Sequence, residues 1–139
     1  MEDLMRSARV ARECSYAPYS NYHVGAAVRT PDGEIFAGCN VENAAYPEGT
    51  CAEAGAIAAM VMAGHQTIVE VLVMGPVGTP CTPCGGCRQK LREFCADEVK
   101  VHVWDPEQHL LTTTVGELMP HAFGPQTLKK QSVDSGGEP

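Results

Sequence analysis

Two short runs carry the chemistry this chain can do. Cys51-Ala52-Glu53 is followed some thirty positions later by Pro83-Cys84-Gly85-Gly86-Cys87. Three thiols with this spacing suit a metal ion, and zinc prefers such sulfur donors. Seven cysteines is an odd number, so a fully paired disulfide framework is excluded. Clustered cysteines in a reducing cytosol are more often metal ligands. Zinc thiolates need negative sulfur, and helix N-termini favour it through free N–H groups and the macrodipole. Cys51 is expected to begin one helix, and Cys84 and Cys87 another. Gly85 and Gly86 leave room for backbone N–H groups to approach the sulfurs.

The carboxylate beside the first thiol narrows the use of such a site. From Cys51 to Ala63 every residue except Glu53 is apolar or glycine. A helix apolar on all sides is buried, and a lone buried carboxylate is costly unless something uses it. General acid/base work two residues from a zinc ligand is such a use. An open fourth position on zinc would hold water with its pKa lowered to about 7. The competing assignment is a closed structural site. Cys81-Thr82-Pro83-Cys84 is also a Cys-x-x-Cys, so Cys81 could supply a fourth sulfur.

The elements that must position these residues follow from periodicity. Leu4, Met5, Ala8, Ala11 and Cys14 recur at helical spacing, predicting a helix over residues 2–16. Val24 to Val28 and Ile35 to Cys39 read as a hairpin closed by Pro31-Asp32-Gly33. Residues 40–50 read as a loop and 51–63 as the second helix, stopped at Gly64. Val69 to Met74 is a buried strand by its continuous apolar run. A Gly/Pro/Thr loop leads to a helix near 85–95. Val99 to Trp104 and Leu110 to Thr114 complete the strands, before a short helix near Val115–Met119. The order implies about five strands covered by helices, in one domain over residues 1–128. The polar, Gly-containing end, residues 129–139, is expected to be a flexible tail.

Composition bounds the partners. The 139 residues are 44% hydrophobic and 19% charged, ordinary for a packed globular domain. Ten Lys and Arg face 17 Asp and Glu, a net charge of -7. Phosphate backbones attract cations, so a nucleic-acid polymer is a poor substrate candidate and a small neutral molecule a better one. No apolar run is long enough to span a bilayer, and the first residues lack a signal-peptide core. No membrane partner and a cytoplasmic location are the resulting expectations.

With these residues in place, the chain resembles the small homotetrameric cytidine deaminases of the cytidine/deoxycytidylate deaminase family. The resemblance runs from about Tyr16 to Leu128. It is carried by Tyr16-Ala17-Pro18-Tyr19-Ser20, Val24-Gly25-Ala26-Ala27, Gly38-Cys39-Asn40-Val41-Glu42-Asn43-Ala44, Cys51-Ala52-Glu53, Pro83-Cys84-Gly85-Gly86-Cys87-Arg88-Gln89 and Leu118-Met119-Pro120-His121-Ala122-Phe123. A Cys or His followed by Glu, then Pro-Cys-x-x-Cys, is the signature of zinc nucleobase deaminases, in which the Glu shuttles protons and water attacks C4 of cytosine. The resemblance implies a three-layer α/β/α sandwich with a five-stranded mixed sheet. It implies one Zn²⁺ per chain on Cys51, Cys84 and Cys87, Glu53 as the proton shuttle, and cytidine and 2′-deoxycytidine as substrates in pyrimidine salvage.

The resemblance also implies roles for substrate-contacting residues. Asn40 and Glu42 fall where the family hydrogen-bonds the ribose, chiefly its 3′-hydroxyl. Ala52 lies at the same pocket. Tyr22 stands where a phenylalanine usually stacks on the base. Ala44, Tyr46 and Phe123 match residues acting across subunit interfaces of the tetramer. Read from the residues alone, Asn40 is equally a loop cap, Glu42 a solvated carboxylate and Tyr22 a core residue. Ala54 departs from the pattern, since many members place there an arginine that offsets the thiolate charge. Arg88 is either a support for the thiolates or a helix-surface residue. The five histidines show no ligand spacing and read as structural or surface. Deaminases of modified cytosine nucleosides, such as the blasticidin-type enzymes, share the metal site and form the second enzymatic reading. A zinc module that binds a partner is the non-enzymatic one.

Overall fold

The computed structural model describes residues 1–129. The helix α1 (Glu2–Glu13) precedes the antiparallel hairpin of β1 (Gly25–Arg29) and β2 (Ile35–Cys39). A 3₁₀ turn (Tyr46–Glu48) leads to α2 (Ala52–Met62), β3 (Ile68–Met74), α3 (Gly85–Phe94), β4 (Cys95–Trp104), β5 (His109–Thr114) and α4 (Val115–Leu118). Residues 125–129 are helical as well. Of the expected tail, Lys129 belongs to that helical run, and residues 130–139 lie outside the described residues.

The five strands form one mixed sheet in the order β2-β1-β3-β4-β5. Only β3 and β4 pair in parallel. A parallel pair needs a crossover rather than a tight turn, and α3 supplies it. Each strand turns alternate residues to opposite faces. Ala26, Val28, Val71, Val73 and Val101 therefore pack with Ala52, Ala56, Ile57 and Met60 of α2, Leu91 of α3 and Val115 of α4. Ala27, Leu72 and Met74 turn the other way, onto Leu4 and Ala8 of α1. Two helical layers thus enclose the sheet, as the three-layer expectation requires. Fully burying a side chain the size of Met60 or Leu72 stabilises the fold by roughly 1.5–3 kcal/mol.

Two close contacts decide where the chemistry sits. Gly38 of β2 lies directly under α2, and a Cβ there would stand 2.3 Å from the Ala56 nitrogen. Gly55 faces it, its own missing Cβ 3.3 Å from the Gly38 Cα. The bare backbones let α2 settle onto the sheet edge, which sets the height of Cys51 and Glu53. On the other side, the fully buried Asp105 accepts hydrogen bonds from the N–H groups of Gly78 (2.8 Å), Glu107 (2.7 Å) and Gln108 (2.8 Å). It thereby ties the β3–α3 loop, which carries Cys84, to the β4–β5 turn. These N–H donors, Gly78 foremost, hold its carboxyl below the usual range.

Element ends differ from the periodicity reading in physical ways. α1 stops at Glu13 because Cys14 and Ser15 bond back to Ala11 and Arg12 as a closing turn. β4 begins at Cys95 rather than Val99; its polar Ala96-Asp97-Glu98 stretch spans a register shift between Ile68↔Cys95 and Glu70↔Lys100. No helix among the described residues is long and apolar enough to cross a membrane.

Gly38→Ala should force α2 away from β2. Overpacking costs about 1–3 kcal/mol, and a backbone partner cannot step aside, so the loss belongs at the upper end. Urea unfolding of the variant should show the lowered midpoint, and an unchanged midpoint would mean that α2 does not rest on this contact.

Candidate active site

The three cysteine sulfurs come together at the N-termini of α2 and α3. Cys51 is the N-cap of α2, and Cys84 is the N-cap of α3, with Cys87 in its first turn. Their sulfurs all lie within 4.8 Å of one another, and those of Cys51 and Cys84 are 3.8 Å apart. A Zn–S bond of about 2.3 Å with tetrahedral angles sets neighbouring sulfurs about 3.8 Å apart, so the spacing suits zinc. The backbone N–H of Cys87 aims at the Cys84 sulfur and lowers that thiol's pKa. Burial pushes the Cys51 and Cys87 thiols up, and the Glu53 carboxylate raises both further. Three thiolates together therefore call for a cation among them, the role zinc fills.

Glu53 occupies the first turn of α2 and is only 4% exposed. Burial raises its pKa, while the α2 backbone, the Cys87 thiol and the charge of Lys90 pull the other way. Burial thus favours the protonated form of a carboxyl that stands beside the metal site, as a group that carries a proton needs.

Cys81 does not join the three sulfurs. It is half-buried against the core, beneath Gly75, where a Cβ would stand 2.4 Å from its own. Its thiol faces the Tyr22 hydroxyl. The donor set is therefore three sulfurs with an open position, and the four-cysteine structural site is not formed.

The residues assigned to the sugar form a connected frame. Asn40 Oδ1 accepts from the Val24 N–H (2.9 Å), and its Nδ2 donates to the Tyr22 carbonyl (2.8 Å). The amide is thus a loop cap, with one N–H and one lone pair left over. Glu42 Oε1 accepts from the N–H groups of Tyr19 (3.0 Å) and Ser20 (3.2 Å), and Oε2 from the Ser20 hydroxyl. The Ser20 hydroxyl foremost keeps the Glu42 carboxyl below its ordinary pKa. Ser20 Oγ in turn accepts from the Tyr22 N–H at 3.0 Å. Asn21, in the left-handed region at φ 58°, makes the bend possible. Glu42 lines a cavity of about 320 Å³ with Tyr19, Ser20, Asn43, Tyr46 and Gly49. The Tyr19 and Tyr46 rings meet edge-on there, 6.3 Å between centroids.

Other assigned residues are not gathered at these sulfurs. Ala52 is fully buried between Cys51 and Glu53, whereas Ala44, Tyr46 (77%) and Phe123 (57%) are exposed. Arg88 is not the solvated helix-surface residue of one expectation. It is half-buried, and its guanidinium donates to the carbonyls of Pro83 (2.8 Å) and Leu118 (2.9 Å). His102 is buried between Glu70 (2.8 Å) and Thr112 (3.0 Å), a structural role. The residues that periodicity could not find are Ser20, which frames Glu42, and Asp105. Both sit in turns; Asp105 accepts from backbone N–H groups, and Ser20 bonds the Glu42 carboxylate far away in sequence, pairings that no local side-chain pattern announces.

Comparison with known proteins agrees with this geometry. Residues 1–103 match the family model described as the cytidine and deoxycytidylate deaminase zinc-binding region. A cytidine deaminase of Sporosarcina psychrophila is 38% identical over 128 residues, 92% of this chain and 94% of its own length. The crystal structure of cytidine deaminase from Burkholderia pseudomallei superposes with a TM-score of 0.82 at 40% identity, covering 88% of this chain and 98% of that one. That of Mycobacterium tuberculosis gives 0.75 at 34%, covering 88% and 96%. The chain belongs to the cytidine and deoxycytidylate deaminase family, and Cys51, Cys84 and Cys87 are its zinc-binding triad.

Cys81→Ala should leave zinc at one per chain by elemental analysis, while Cys84→Ala should lower it sharply. A metal-free Cys81→Ala protein would restore Cys81 as a ligand.

Proposed function

We propose that the chain hydrolyses cytidine and 2′-deoxycytidine to uridine and 2′-deoxyuridine with release of ammonia, a step of pyrimidine salvage. The observation that carries this reading is Glu53, a carboxyl 4% exposed in the first turn beyond a zinc ligand. Bound zinc supplies an acidified water, its pKa lowered to about 7. Glu53 would accept a proton from the attacking water and pass it to N3 of the cytosine ring as oxygen bonds to C4. It would then move the proton of the new C4 hydroxyl to the amine, so that C4=O forms as the C4–N bond breaks and ammonia leaves. Water enters, ammonia departs, and the ring becomes a uracil.

The remaining roles follow the frame. Asn40 keeps one donor and one acceptor free, and Glu42 stays ionised, so together they suit a sugar hydroxyl. Tyr22, 40% exposed and adjoining Cys81 and Asn40, would stack on the base, a contact worth about 1 kcal/mol. Ala52, fully buried between ligand and shuttle, would close the pocket from beneath. The absence of lysine or arginine from the cavity beside Glu42 fits an uncharged nucleoside better than a phosphorylated one.

We further infer a homotetramer in which neighbouring subunits complete each site. α2 leaves Val61 (45%) and Met62 (85%) bare, and Tyr46 and Phe123 are also uncovered. Such apolar exposure on a helix that carries the shuttle suits packing against another copy. Ala44, Tyr46 and Phe123 would then reach a neighbour's pocket. One domain over residues 1–128 and a cytoplasmic location complete the reading.

Purified zinc-loaded protein should lower the ultraviolet absorbance of cytidine. Glu53→Gln should slow that change by at least about 100-fold with zinc retained, since acid/base groups contribute roughly 10²–10⁴. Turnover unchanged in Glu53→Gln would end the shuttle assignment. Light scattering at micromolar concentration should give the mass of four chains; a monomer would remove Phe123 from the site.

A further inference from the structure

The loop that delivers Cys84 is weakly held by its own backbone. Pro80 and Pro83 have no N–H to donate. Past the bond from Gly78 to Asp105, the backbone contact in this stretch is a long one, Thr79 N–H to the Pro76 carbonyl at 3.5 Å. Yet Cys84 must present its sulfur 3.8 Å from that of Cys51, in an extended conformation (φ −69°, ψ 173°) just ahead of α3. The side chain of Arg88 supplies the missing fastening. Its Nε donates to the Pro83 carbonyl, which belongs to the peptide linking Pro83 to Cys84. Its Nη1 donates to the Leu118 carbonyl, at the end of an element anchored in the core by the buried Val115. The next residue repeats the pattern, with Gln89 Nε2 donating to the Phe123 carbonyl at 2.9 Å.

We propose that Arg88 is a positioning residue for the metal: its planar fork fixes the Pro83–Cys84 peptide against Leu118, so the sulfurs stand ready for zinc instead of being gathered by it. The guanidinium offers several N–H groups in one rigid plane, which a lysine ammonium on a flexible stem cannot reproduce. Its effect on the site is mechanical, carried through carbonyls, not through charge at the sulfurs. The proposal rests on the zinc triad and not on the reaction, so metal binding tests it apart from turnover.

The experiment is zinc competition against a chromophoric chelator for wild type, Arg88→Lys and Arg88→Ala, with the absorption of the Co²⁺-loaded proteins as a second reading. Groups that orient metal ligands typically contribute 10–100-fold in affinity. Both variants should therefore bind zinc about tenfold or more weakly, with a Co²⁺ spectrum altered from the tetrahedral one of wild type. If Arg88→Lys matches wild type while Arg88→Ala is weakened, the charge and not the fork matters, and the proposal is overturned. Wild-type affinity and spectrum in both would overturn it as well. Should Arg88→Ala fail to fold, Arg88→Lys, which keeps the stem and the charge, decides the question. A protein that binds zinc normally but leaves cytidine unchanged would instead count against the proposed function.

Discussion

Two helix N-termini must meet within a few ångströms before three cysteine sulfurs can share one ion. Neither helix can arrange this alone. α2 takes its height from the sheet, where Gly38 and Gly55 let backbone approach backbone. α3 takes its start from the end of β3, the strand that pairs in parallel with β4 and so requires a crossover. The parallel pair therefore does more than hold the sheet together. It places a loop and a helix N-terminus at the carboxyl end of a central strand, the usual location for ligand sites in open α/β sheets. Asp105 then pins the loop at Gly78, and Arg88 pins it at Pro83.

The electrostatics of the junction are demanding. Burial disfavours ionised Cys51, Cys87 and Glu53 alike, and the Glu53 carboxylate raises both of those thiols further. Only Cys84 is eased, by the N–H of Cys87 at its sulfur. A divalent cation reverses this logic, because its charge is the largest in the site and favours the thiolates directly. Burial is the chief cause that raises Glu53, and it favours the protonated form a proton carrier must be able to adopt. With alanine at position 54, no side-chain cation follows Glu53; the compensation falls to N–H groups at the helix ends.

The metal triad and its carboxylate were legible because their signal is local in sequence: a fixed spacing, and one acid in an otherwise apolar helix. Strands β1, β2 and β5 and the helix α2 were legible within a residue or two by their patterns. β4 was not, because its first residues are polar and belong to an irregular part of the ladder; pairing with β3, not composition, makes them strand. The 3₁₀ turn at Tyr46–Glu48 was hidden in a proline-bearing loop. That Arg88 is half-buried and not a solvated surface residue was not legible, because its partners are main-chain carbonyls. Asn40 shows a further limit. Its capping bonds and its proposed role at the sugar are not rivals, since a primary amide has four hydrogen-bonding positions and the caps use two.

α2 joins the chemistry to the proposed assembly. Its N-terminal half is buried on the sheet and carries the ligand and the shuttle, while its C-terminal half leaves Val61 and Met62 bare. Among the described residues nothing covers Val61 and Met62, and α1 lies on the opposite face of the sheet. The small residues Ala58 and Ala59, both exposed, would let another helix approach closely. Burial of that face in a partner would lower the local dielectric around α2 and exclude water near Glu53, strengthening the same effect that raises its pKa. Assembly and acid/base chemistry would then share one cause, the apolar character of a helix interrupted by a single carboxylate.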